Sequence, residues 1–187
     1  VRVTQINHRP GGWLYLFNLD GTLISSYMNA ADKNYNIWEV LPGRKERLAR
    51  LDGIYGVVTN QGGVAMGHIS EIDVRYKLLQ VADAFGWDGV RIEDGGLPYH
   101  VGRGITPERL FKVWVAYDHP KGKVWRYNLM GSRRKPSPVM LNQAMYWFSY
   151  TPDQTIYVGD REEDEQAARA AGARFQWAHI FFRDTAP

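Results

Sequence analysis

The sequence predicts an α/β fold, a doubly wound and mainly parallel Rossmann-like sheet, and three observations carry that prediction. Short apolar runs recur at 13–17, 54–59, 111–117 and 155–158, each too short for a free-standing helix and built like strands buried on both faces. Segments of helical spacing lie between them, the alternation that builds parallel sheets. Several runs end in polar turns, Asp20-Gly21-Thr22, Asn60-Gln61-Gly62 and Gly159-Asp160. Open α/β sheets place their chemistry at such carboxyl ends of strands.

Taken in order, residues 1–12, with Asn7, His8, Pro10, Gly11 and Gly12, read as an entry strand or arm. The run opening at Trp13 is the central strand. Residues 25–41 form a loop bearing Tyr27, Tyr35 and Trp38. A short amphipathic helix follows over 44–51, burying Leu48 and Leu51 and turning Arg44, Lys45, Arg47 and Arg50 to solvent. Ser70-x-x-Asp73 has the form of a capping box, opening a helix whose Ile72, Leu78, Leu79, Ala82 and Phe85 recur at near-helical spacing until Gly86. Residues 87–104 are glycine-rich and unpatterned. Thr106-Pro107 suits the start of a short helix. Ser137-Pro138 starts another, with Met140, Leu141, Ala144, Met145, Trp147 and Phe148 on its buried side. Asp160 opens a helix to Ala171, Gly172 ends it, and 174–182 is a last strand and tail.

The 187 residues suit one domain over 1–187, with 85–133 as a substrate-side insertion and loop. A 44% hydrophobic and 23% charged composition is globular, and no apolar run approaches the roughly 18 residues of a membrane span. Zero cysteines exclude disulfides and thiolate metal sites. No secretory signal opens the chain, so a cytoplasmic monomer without membrane contact is expected. The net charge of +3 permits phosphate-rich partners without requiring them.

Four segments in order, Asn18-Leu19-Asp20-Gly21-Thr22, Thr59-Asn60-Gln61, Arg134-Lys135-Pro136 and Gly159-Asp160 followed by Asp164, resemble the motifs of the haloacid dehalogenase-like phosphatases. The Thr-Asn-Gln and Arg-Lys-Pro forms are similar to the branch holding heptose-bisphosphate, histidinol-phosphate and polynucleotide 3'-phosphatases. The resemblance implies a magnesium-dependent phosphomonoesterase acting through an aspartyl phosphate, with little or no cap domain. It further implies magnesium held by the side chain at position 18, the Asp20 backbone carbonyl and Asp160, with Asp164 in support. Asp20 would be the general acid and then the base, Thr59 and Asn60 would donate to phosphate oxygens, and Lys135 and Arg134 would supply charge.

One position departs from that pattern. The family's nucleophile is an aspartate, and here it is Asn18. A carboxamide carries no charge, is a very poor nucleophile, and is a weaker ligand for a hard cation. The chain is therefore expected to be inactive, by an Asp-to-Asn change that traps substrate or as a natural pseudophosphatase that only binds phosphorylated ligand. For the substrate, the segment 118–134 interleaves Lys121, Lys123, Arg126, Arg133 and Arg134 with Trp125 and Tyr127. Basic residues alternating with aromatics suit single-stranded nucleic acid, so a nucleic-acid 3'-phosphate is the first expectation. A small phosphorylated metabolite, a sugar or amino-alcohol phosphate, is the second. His119 and His100 read as polar loop residues.

Overall fold

The computed structural model describes residues 12–25, 34–96, 99–102, 110–128 and 132–183. Seven strands are β1 (Trp13–Phe17), β2 (Gly53–Asn60), β3 (Gly89–Glu93), β4 (Tyr99–Gly102), β5 (Leu110–Ala116), β6 (Thr155–Gly159) and β7 (Arg174–Trp177). Five helices accompany them: α1 (Arg44–Leu48), α2 (Glu71–Ala84), α3 (Val139–Phe148), α4 (Glu162–Ala171) and α5 (Ala178–Phe182). They form one sheet in the order β4-β3-β5-β2-β1-β6-β7, parallel throughout except for the β3–β4 pair at one edge. This is the expected doubly wound α/β sheet, with β1 between β2 and β6.

Helices cover both faces, so alternate residues of one strand enter different cores. Phe17, Val57, Val113 and Val115 pack with Val74, Leu78, Val81 and Phe181 on the side of α2 and α5. Leu14, Leu16, Val58 and Trp114 pack with Met140, Leu141, Ala144 and Ala167 on the side of α3 and α4. Both sides of each central strand are apolar, which is why the sequence shows unbroken runs there.

The capping box forms: Asp73 N–H donates to Ser70 Oγ (3.2 Å) and Ser70 N–H to Asp73 Oδ2 (2.8 Å). Four expectations need correction. Residues 87–104 are not all unpatterned, since β3 and β4 pair there through Val90↔Val101 and Ile92↔Tyr99. Ile72 is 76% exposed, because a residue so close to the start of α2 lies off the stripe of Val74, Leu78 and Val81. Arg44 is buried: its Nε donates to the Thr22 carbonyl (2.9 Å), Nη1 to the Pro42 carbonyl (3.0 Å), and its guanidinium lies 4.3 Å from the Phe182 ring centre. The tail after β7 is helical, α5, and sets Phe181 edge-on to Phe17 at 5.6 Å. The entry arm, Tyr27, Arg103, the Thr106-Pro107 start and the side chain of His100 lie outside the described residues. Among those residues no helix is long and apolar enough to cross a membrane.

Candidate functional site

The polar ends of β1, β2 and β6 meet at the carboxyl edge of the sheet, where a cavity of about 270 Å³ opens. Asn18 continues β1 by donating its backbone N–H to the Val158 carbonyl of β6 (2.8 Å), which fixes its side chain beside the end of β6. Gly21 lets the chain turn at φ 82°, and a Cβ there would collide with the Asp160 carboxylate. The close packing of these two turns brings residues 142 positions apart into contact.

Asn18 and Lys135 form the floor. Lys135 Nζ shares its three N–H bonds among Asn18 Oδ1 (2.9 Å), the Val58 carbonyl (3.1 Å), Tyr157 Oη (2.7 Å) and Asp164 Oδ1 (2.6 Å). The other end of the Asn18 amide, Nδ2, donates to Asp160 Oδ1 (2.8 Å) and the Asp20 carbonyl (3.0 Å). Thr22 Oγ1 also donates to Asp160 Oδ1 (2.9 Å). Burial pushes the Asp160 carboxyl above its ordinary value, and the Asn18 and Thr22 hydrogen bonds partly oppose that rise. Burial, with Asp164 close by, raises the Tyr157 phenol well above its ordinary range, so it remains a neutral donor and acceptor.

Asp20 stands across from this floor. Its Oδ1 accepts from Lys77 Nζ (2.5 Å) and its Oδ2 from Gln61 Nε2 (2.6 Å). Asp164 is fully buried. Besides Lys135 it takes Tyr157 Oη (3.0 Å) on Oδ1 and the backbone N–H groups of Asp160 (3.1 Å) and Arg161 (3.2 Å) on Oδ2. Its carboxylate thus anchors Lys135 and caps α4 together.

Asn18, Asp20, Asn60, Arg134, Lys135 and Asp164 all line the cavity. Asn60 spends its amide on the Lys135 backbone, donating to its carbonyl (3.2 Å) and accepting from its N–H (3.0 Å). That contact holds the Lys135 segment against β2. Thr59 is buried, and its hydroxyl accepts from Gln61 Nε2 (2.9 Å). Asp160 borders the floor through Asn18. Tyr35 stacks on His68 at the rim (5.7 Å between ring centres), beside His119. Burial and the nearby Arg134 and Lys121 push the His119 imidazole below its ordinary value.

Thr22 and Gln61, which belong to the motif segments, complete the site together with Lys77 and Tyr157, for which the sequence suggests no role. Lys77 left one signal: it occupies the buried stripe of α2, between Val74 and Leu78 and Val81. A lysine on such a stripe needs a buried partner.

Three amides, three carboxylates and two lysines thus gather at the strand ends of a doubly wound sheet, donors and acceptors of the kind that can bind an oxyanion. Comparison with known proteins identifies its kind. Residues 129–178 match the family described as haloacid dehalogenase-like hydrolase. The D-glycero-beta-D-manno-heptose-1,7-bisphosphate 7-phosphatase of Rhodopseudomonas palustris is 29% identical over 152 residues, 74% of this chain and 73% of that protein. The D-glycero-alpha-D-manno-heptose-1,7-bisphosphate 7-phosphatase of Burkholderia mallei is 29% identical over 68% of this chain and 65% of its own length. Among solved structures, the D,D-heptose 1.7-bisphosphate phosphatase of B. bronchiseptica, complexed with magnesium and phosphate, superposes with a TM-score of 0.60 at 21% identity. That match covers 87% of this chain and 78% of the other. Together these matches support a phosphatase similar to the haloacid dehalogenase-like hydrolases.

The family implies magnesium, and the donor set of this site does not suit it. Magnesium takes oxygen ligands. The oxygens of Asp160 and the Asp20 carbonyl nearest position 18 both face an NH2 group instead.

Proposed function

We propose that the cavity receives the phosphate of a small phosphorylated metabolite of the sugar-phosphate class, and that the chain binds this ligand without turning it over. The observation that carries the proposal is Lys135 Nζ on Asn18 Oδ1 at the cavity floor (2.9 Å), at the position the resemblance gives to the nucleophile. Phosphomonoester hydrolysis here would need a carboxylate at position 18. Its oxygen would attack phosphorus while the ester oxygen leaves with a proton from Asp20, giving an acyl phosphate. Asp20 would then take a proton from water as that water attacks phosphorus, releasing phosphate and restoring the carboxylate. An amide in that position has no anionic oxygen to form the first bond. Magnesium enters this scheme only with a carboxylate at position 18.

Two features favour a small ligand. The relatives at 29% identity are sugar-bisphosphate phosphatases. Within the 121–134 segment Arg133 is also drawn inward, while Lys121, Lys123 and Arg126 stay exposed. Arg133 donates to the Glu93 carbonyl (3.2 Å) and to Gln143 Oε1 (2.7 Å), and Arg126 and Tyr127 both reach Glu71. Trp125, 74% exposed, is the observation on the side of a nucleic-acid 3'-phosphate, the second reading.

The Asn18→Asp variant, assayed for phosphate release, tests the choice. It is expected to hydrolyse sugar phosphates in preference to a 3'-phosphorylated oligonucleotide, with no inhibition by unphosphorylated oligonucleotide. A strong preference for the oligonucleotide that weakens steeply with salt would reverse the order of the two readings. Inactivity of the variant on every phosphomonoester would remove both.

A further inference from the structure

Position 18 presents a cation with the wrong end of an amide. The two N–H bonds of Asn18 Nδ2 are spent on the Asp20 carbonyl (3.0 Å) and Asp160 Oδ1 (2.8 Å). An amide nitrogen acts as donor only, so it bridges the two oxygens a metal would otherwise join. Turning the amide over would bring Oδ1 to them. It would also aim Nδ2 at Lys135 Nζ, now 2.9 Å from Oδ1, setting two donors face to face beside a buried lysine. Lys135 therefore fixes the orientation of the amide.

Charge balance points the same way. A cluster of carboxylates holds a dication because their mutual repulsion is relieved by it. Here each carboxylate already has donors. Asp20 has Lys77 and Gln61, and Asp164 has Lys135, Tyr157 and two backbone N–H groups. Asp160 has Asn18 and Thr22, with Arg161 Nε 3.8 Å from its second oxygen. Among the described residues, no three His, Cys, Asp or Glu side chains come together as a metal-holding group.

We propose that Asn18 stands in for the divalent cation, bridging Asp20 and Asp160, so that this site recognises a phosphate group without a metal. Lys135, Arg134 and Arg161, which all border the cavity, would share their positive charge between these carboxylates and an entering phosphate dianion. The inference rests on the phosphate-site reading, and the two can fail separately.

Two titrations on the full chain separate them. Manganese, followed by its electron-spin resonance, reports cation binding with no phosphate present. Inorganic phosphate, followed by calorimetry in EDTA and again in millimolar magnesium, reports anion binding. Manganese is expected to bind Asn18→Asp at least about tenfold more tightly than the unchanged chain, whose phosphate affinity is expected to agree within about twofold between the two buffers. Equal manganese affinity for both proteins, or a tenfold gain in phosphate affinity on adding magnesium to the unchanged chain, would overturn the proposal. Asp160→Asn gives a second reading that does not depend on Asn18→Asp folding. Phosphate affinity should hold or rise when that negative charge is removed, and a fall of about tenfold would mean a cation held by Asp160 assists the anion. Absence of phosphate binding in both buffers, with the manganese difference intact, would remove the phosphate reading and leave Asn18 in the cation's place.

Discussion

Lys135 and Lys112 are equally buried, each 2% exposed, and end in opposite surroundings. The Lys135 ammonium sits among four oxygens, one of them the buried Asp164 carboxylate. The Lys112 ammonium lies 3.7 Å above the centre of the Trp147 ring, on the flank of the sheet near β3, and Arg91, its cross-strand partner, covers the same ring. Burial, then the Arg91 charge, pushes the Lys112 amine down to about 7, with Glu93 offsetting part of the fall. Burial therefore does not decide what a lysine does. The supply of acceptors does: at the strand ends it makes a fixed cation that a site can use, and on the flank it leaves a charge the fold tolerates at a cost.

Breaking the first lysine should have the larger effect. Lys135→Met would leave the Asp164 carboxylate buried without its counter-charge, a loss of about 3–5 kcal/mol in urea unfolding. Adding Asp164→Asn to that variant should recover much of it. If Lys135→Met cost under about 1 kcal/mol, the pair would not be the anchor described.

Lys77 offers an intermediate case, a buried lysine with one carboxylate, Asp20, that still borders the open cavity. Lys77→Met is expected to lose about 1.5–3 kcal/mol by the same measurement, and Lys77→Arg to lose less. In the Asn18→Asp background, Lys77→Met should also lower kcat, because the Asp20 carboxylate loses the contact that orients it. An unchanged kcat would make Lys77 a purely structural residue.

Breaking the second lysine should have the smallest effect and the opposite sign. Lys112→Met should be neutral or stabilising at pH 7, by under about 2 kcal/mol. The parent chain should show a pH dependence that the variant lacks. Between about 7 and the unfolded value of 10.5, the unfolded chain holds the Lys112 proton and the folded chain does not. The unfolded state therefore binds more protons, and stability rises with pH across that window. Denaturant unfolding at several pH values should show the rise in the parent and a flatter line in Lys112→Met. A parent slope of the other sign would mean the Trp147 contact outweighs desolvation.

The same contrast explains what was legible in the sequence. β1, β2, β5 and β6 are buried on both faces, so each is written as an apolar run, and the polar ends of three of them, with the turns that follow, carry Asn18, Asp20, Asn60 and Asp160. β3 leaves little mark in the sequence, because its five residues alternate, with Arg91 between Val90 and Ile92, and lie among glycines. The burial of Arg44 is not legible either, because an arginine after Pro42-Gly43 gives no sign that the Thr22 carbonyl and the Phe182 ring will enclose it. Lys77 lies 57 residues from its partner Asp20, and only the fold of α2 over the end of β1 joins them. The strand ends are local facts of the sequence. Pairings across the site belong to the fold.

One comparison tests the central claim, that this site is assembled for phosphoryl transfer and lacks only the carboxylate at position 18. Phosphate release from a sugar phosphate is measured for the unchanged chain and for Asn18→Asp, with mass spectrometry of the peptide bearing residue 18 to exclude deamidation. The variant should be faster by at least about 1,000-fold, as expected when a nucleophile is restored to intact surroundings. Equal rates in the two proteins, with residue 18 verified as asparagine in one and aspartate in the other, would contradict it.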